Sequence, residues 1–217
     1  MRLLFWVPVL AGLALIGAPA AKADSIVYQL TAPNTAISPY SGPYGDVTVD
    51  RTSATTATIT FASNTVAGNS YLFGDGSSVD VNVNASSWTL GSISSSNGGT
   101  GFTPGTFSDG GSLNVDSFGV FNQTVDDFDG FMHAADLVSF SLTNTSGSWA
   151  SAADVLAENA DGFQAAAHIF VCADSGSGCD QGAGALVTGY AAVPEPSTLA
   201  LLLMGMTALA AHRSRRR

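Results

Sequence analysis

The chain has 217 residues, enough for one domain of ordinary size, and it carries a formal net charge of −10. Residues 24 to 193 hold sixteen acids and one base, Arg51, a balance that repels phosphate backbones and excludes nucleic acid as a partner. The acids are nearly all Asp, which suits turns and strand ends better than helices, and the 46% apolar content argues against a disordered chain.

The N-terminus reads MRLLFWVPVLAGLALIGAPAAKA. Arg2 supplies a short positive region, and Leu3 to Ile16 an apolar core interrupted by Pro8. Ala21-Lys22-Ala23 places small residues at the third and first positions before a cut. Residues 1–23 therefore form a secretory signal peptide handed to the general secretion machinery, with signal peptidase cutting between Ala23 and Asp24. The alternative is an uncleaved anchor, against which the short run and the good cleavage site weigh.

Period-two alternation dominates the middle. Strands are expected over DVTVD (46–50), TATITFA (56–62) and SVDVNVN (78–84), the last with Val79, Val81 and Val83 on one face and Asp80, Asn82 and Asn84 on the other. SSWTLGSIS (86–94), SLNVDSFGVF (112–121) and LVSFSLTNT (137–145) also read as strands, separated by the Gly-rich loops SSSNGGTGFTPG and SDGG. One helix is expected over Ala152 to Asn159, opened by Ser151 and Asp154 in a near capping box and ended by Gly162. Trp149 and Phe163 would pack it onto the sheet. QAAAHIFVC (164–172) and ALVTGYAAV (185–193) then form a closing hairpin. The expected fold is mostly β: an antiparallel β-sandwich, jelly-roll-like, with one short helix, spanning residues 24–192.

Cys172 and Cys179 flank CADSGSGC, and in an oxidising compartment this spacing reads as a disulfide across the hairpin mouth. A metal site needs more ligands, and a redox pair wants Cys-x-x-Cys. No catalytic constellation is found. The middle holds only His133 and His168, neither in metal-ligand spacing, and there is no Gly-x-Ser-x-Gly elbow. No cofactor is expected beyond Ca²⁺, for which Asp126, Asp127 and Asp129 in VDDFDGF are weak candidates as hard oxygen ligands on a turn. The competing reading of that turn is a solvated acidic loop.

The C-terminus reads VPEPSTLALLLMGMTALAAHRSRRR. Ser197 to Ala211 is uncharged for 15 residues, about 22 Å as a helix against a hydrocarbon core of about 30 Å. Arg213, Arg215, Arg216 and Arg217 in the basic tail 212–217 stop translocation, since each costs roughly 2.5–3.5 kcal/mol at the membrane centre. The expected topology is an outside domain, a marginal span over 197–211 that anchors it transiently in the inner membrane, and a cytoplasmic tail. A GPI signal does not normally end in basic residues, and a buried core helix would not need them. Pro194 and Pro196 hold Val193 to Pro196 extended, with Glu195 a lone charge between them, as a cleft-binding enzyme would require.

Pro194, Glu195 and Pro196, the apolar run and the terminal arginines, in that order, make residues 193–217 resemble the bacterial PEP-CTERM sorting signal. The resemblance implies exosortase as partner, cleavage near the tripeptide, and a mature form in the cell envelope or outside the cell. It implies nothing about the outer domain. The expectation for that domain is a non-catalytic surface or matrix module beside exopolysaccharide. A carbohydrate-binding adhesin using Trp88, Trp149, Tyr40, Tyr44 or Tyr71, and less favourably a matrix hydrolase, are the alternatives.

Overall fold

The computed structural model describes residues 23–98, 102–173, 179 and 184–194. Residues 1–22 of the expected signal peptide, Glu195 and Pro196 of the tripeptide, the expected 197–211 span and the basic tail 212–217 lie outside these. Among the described residues no helix is long and apolar enough to cross a membrane.

Among the described residues thirteen strands run in chain order: β1 Asp24–Leu30, β2 Ala32–Pro33, β3 Gly45–Arg51, β4 Thr56–Ser63, β5 Thr65–Val66, β6 Asn69–Phe73, β7 Asp75–Val81, β8 Trp88–Ser96, β9 Ser108–Val115, β10 Gly119–Asp127, β11 Leu137–Asn144, β12 Ala165–Ala173 and β13 Val187–Ala192. Every pairing is antiparallel. One sheet has the order β1-β3-β4-β11-β8. The other has the order β2-β13-β12-β7-β10-β9, with β6 on β12 and β5 on β6. The chain repeatedly leaves one sheet for the other, which gives the two-layer antiparallel sandwich that the alternation predicts.

The five-stranded sheet keeps one wet face. β3, β4 and β11 alternate strictly between buried and half-buried positions. Val47, Val49, Ile59, Phe61 and Phe140 point inward and meet Val79, Val81, Val125, Ile169 and Val171 of the other sheet. The outward positions carry hydroxyls, such as Thr60 and Ser139 bonded across strands at 3.0 Å. Short β-branched residues at every second position fill such a pleated, half-buried surface well.

The eight-stranded sheet differs, because both of its faces are covered. Ala165 to Cys172 in β12 are buried without interruption. Their inward residues join the main core. On the outward side, Phe170 and Cys172 pack with Leu72, Phe102, Ala134 and Cys179 at one end. Ala166 and Ala192 pack with Val115, Phe118 and Phe121 at the other. Loop aromatics close both patches edge to face: Phe131 against Phe102 at 5.2 Å and Phe163 against Phe118 at 5.0 Å.

Several expectations need correction. The helix over 152–159 is one 3₁₀ turn, Ala152–Asp154. The capping box is real, with Asp154 accepting from the Ser151 N–H at 2.8 Å. The helix ends at once because Leu156 bridges to Val83 and the Ala157 N–H donates to the Asn82 carbonyl, which pulls the chain back into the sheet. The segment 112–121 is a hairpin rather than one strand, because Ser117 (φ 72°) and Gly119 (φ 80°) turn it. SDGG belongs to β9, and β1 and β6 carry no clear alternation signal in the sequence.

The hairpin β12–β13 forms with Ala166 opposite Ala192 and Val171 opposite Val187, and Cys172 is joined to Cys179. Closing so short a loop stabilises by about 2–3 kcal/mol, so reducing the bond, or the pair Cys172→Ala/Cys179→Ala, should lower stability to urea by that amount. Phe61 is fully buried between Phe73 and Phe140 at 6.1 and 6.4 Å. Phe61→Ala should cost about 3–5 kcal/mol by the same assay, against under 1 kcal/mol for a threonine-to-alanine change on the wet face at Thr48.

Candidate functional site

The three carboxylates of VDDFDGF do not meet at one point: Asp126 is turned away from Asp127 and Asp129, because consecutive strand residues point to opposite faces. Asp126 and Asp127 are the last two residues of β10, and the pairing with β7 is irregular between Val125 and Asp127. Asp126 accepts the Ser77 N–H at 2.6 Å and lies so close to Gly110 that a Cβ there would overlap its Oδ2. Asp127 accepts the Asp129 N–H at 3.1 Å, and Asp129 accepts the Thr106 N–H at 3.2 Å. These two carboxylates crowd Gly105 instead, where a side chain would overlap both. Among the described residues, no three His, Cys, Asp or Glu side chains gather closely enough to hold a metal by themselves.

The sequence reading leaves Asp80 as the polar partner in a Val-Asp-Val alternation. In the fold it is fully buried, because β7 lies between β12 and β10 and its outward face is roofed. Its Oδ1 accepts from the Thr124 hydroxyl at 2.7 Å, and its Oδ2 has no partner. Burial pushes this carboxyl well above the usual carboxylate range, and the neighbouring Asp126 charge adds to the push. The Thr124 and Ser77 hydroxyls oppose it. Asp126 is raised too, by burial first, with the Ser77 N–H acting against it and Asp109 and Asp75 adding. Asp127 is raised by burial, opposed by the Asp129 N–H, and its Oδ2 likewise lacks a partner.

The irregular start of β7, residues 74–78, borders these groups through the Ser77 N–H. Asp75 (φ 69°) and Ser77 (φ 54°) occupy the left-handed region that favours glycine, so this segment is held against its backbone preference. Its tethers are side chains of the neighbouring strands. His168 Nδ1 donates to the Gly74 carbonyl at 2.7 Å, which makes Nε2 the acceptor of the Thr188 hydroxyl at 2.7 Å. The Tyr190 hydroxyl reaches the Gly76 carbonyl at 3.5 Å, and its ring lies 4.7 Å from that of His168. Burial lowers the His168 pKa, in keeping with a neutral ring. His168 is thus a satisfied buried histidine, as its apolar setting predicts. His133 sits in the 3₁₀ turn Phe131–His133, against the Thr103 carbonyl at 3.0 Å.

Among the described residues no lysine or arginine lies among these acids. Arg51 belongs to the other sheet, where its Nε holds Asp24 Oδ1 at 2.7 Å. The second Asp24 oxygen accepts the Ala152 N–H at 2.8 Å, and that bond, more than Arg51, lowers the Asp24 pKa. Of the aromatic residues considered for sugar stacking, Tyr44, Tyr71 and Trp149 are buried, with their polar atoms bonded to the carbonyls of Tyr40, Ser41 and Asn84. Trp88 and Tyr40 are half-buried against the main core.

The sequence signal that was missed is the phenylalanine beside glycine in loop after loop: Gly101-Phe102, Phe118-Gly119, Gly130-Phe131 and Gly162-Phe163. Turn segments that carry large apolar rings need a second surface to bury them, and that surface is the outward face around Asp80.

Asp80, Asp126 and Asp127 hold protons more tightly folded than unfolded, so acidification stabilises the fold as pH falls through their raised values toward about 3.9. His168 works the other way below about 6.5, since the unfolded ring takes up a proton that the folded one resists. Three acids oppose one histidine. In chelator, acidification toward about pH 4 should raise the thermal midpoint of wild type relative to that of Asp80→Asn. A gap between the two that does not change with pH contradicts this assignment.

At the C-terminal edge, Ala192 is paired with Ala166 and Ala32, and the Val193 N–H donates to the Ala165 carbonyl at 2.8 Å. Val193 is therefore buried in the sandwich and is not part of the free stretch expected over Val193 to Pro196, whereas Pro194 is exposed. No curated protein and no solved structure matches the chain significantly. A family model does match at this edge, and the chain accordingly carries a PEP-CTERM protein-sorting motif over residues 192–217.

Proposed function

We propose that residues 24–193 form a non-catalytic structural module of the cell surface or extracellular matrix, placed beside exopolysaccharide. The sorting motif marks an exported protein processed at the membrane with exosortase as its partner. The observation that carries the proposal is how closely the sandwich fits between its two processing signals. β1 begins at Asp24, directly after the expected cut at Ala23, and Asp24 is already opposite Arg51 in register. β13 ends at Ala192, the first residue of the matched motif. Two removals would leave one compact, acidic body with little trailing chain. Burial of Tyr44, Tyr71 and Trp149 leaves a sugar-stacking adhesin fewer rings than the sequence offers, which favours the structural reading over the carbohydrate-binding one.

In the native host, intact mass of the mature protein should begin at Asp24 and lack the arginine tail. Glu195→Ala should leave the tail attached and the protein in the membrane fraction. Equal loss of the tail from variant and wild type would deprive the tripeptide of a recognition role.

A further inference from the structure

We propose that the roofed outward face of the eight-stranded sheet is a binding site for a hard divalent cation, calcium, held between Asp80 and Asp126 beside the start of β7, residues 74–78. Asp80 is fully buried with one carboxylate oxygen unpartnered, and Asp126 is 3% exposed. Burying a carboxylate without a compensating charge is among the costliest arrangements in a folded chain. Ser77 joins the two acids, its N–H on Asp126 at 2.6 Å and its hydroxyl acting on Asp80. Asp75 and Asp109 add negative potential from either side of Asp126.

Among the described residues no lysine or arginine side chain serves this face, since Arg51 pairs with Asp24 in the other sheet. An ion from outside would neutralise it. The donors on offer are carboxylate, hydroxyl and backbone carbonyl oxygens, with no thiolate, and the one imidazole already has both nitrogens engaged. This donor set selects calcium over zinc or copper. Two carboxylates suffice, because calcium fills its remaining positions with neutral protein oxygens and water in flexible geometry. The left-handed φ values of Asp75 and Ser77 then acquire a reason: they turn the segment 74–78 down onto the acids.

The mature protein, freed of metal with chelator near neutral pH, tests the site. Calcium about 100-fold above its dissociation constant should raise the thermal midpoint by about 5–10 °C, and equal magnesium should do less. Asp80→Asn should abolish the shift while remaining at least as stable as wild type in chelator. Terbium gives a second readout that does not depend on unfolding: Tyr190 should sensitise its emission, calcium should quench it by competition, and Tyr190→Phe should dim it. A wild-type midpoint that ignores calcium overturns the proposal. So does a response that survives Asp80→Asn but is lost in Asp127→Asn, which would place the ion at the Asp127–Asp129 pair.

Discussion

Two-sided burial of the eight-stranded sheet is the constraint on which the rest of the molecule depends. An antiparallel sheet usually leaves one face to water, as the five-stranded layer does here. The larger sheet is sealed by the opposite layer on one side and by loop aromatics on the other. Its central strand can therefore be apolar along nearly its whole length, and any polar group on a central strand must find its partner inside the protein. Asp80 finds half of one, through Thr124. The disulfide and the two phenylalanine clusters are the parts of the roof that keep water from finishing the job.

Alternation made the β class and most strands legible, because β3, β4 and β11 each present one buried and one polar face, and β8 alternates half-buried with exposed positions, the pattern that period two encodes. At β7 it assigns the faces correctly, Val79 and Val81 inward and Asp80 outward, and stops there. A polar residue between valines says which side it faces and nothing about what covers that side. The hairpin β9–β10 was read as one strand because the turn is made by Ser117 and Gly119, neither part of a recognised turn dipeptide. The capping box at Ser151 was correctly seen, yet a cap starts a helix without lengthening it, and strand bridging at Leu156 decided the outcome.

Of the candidate site, the cysteine pair was legible from spacing and compartment, and the acidic triad was legible only as composition. Residues adjacent in sequence were separated by the pleat, whereas Asp80 and Asp126, 46 positions apart, were brought to one face by the β7–β10 pairing. Such long-range convergence leaves no local trace. The sorting tail is the opposite case: its order of proline-flanked acid, apolar run and arginines is linear, and it was readable without any fold.

Arg51 carries a last consequence. The chain's only lysine is Lys22, which precedes the expected signal-peptidase cut, so Arg51 is the sole basic residue between that cut and the tail. It is 4% exposed and sits in a strand paired on both sides. Trypsin-like proteases thus meet a mature body whose single scissile position is folded out of reach, and amine-directed coupling chemistry finds only the α-amino group at its first residue. An exported protein would in this way be shielded by what its sequence omits.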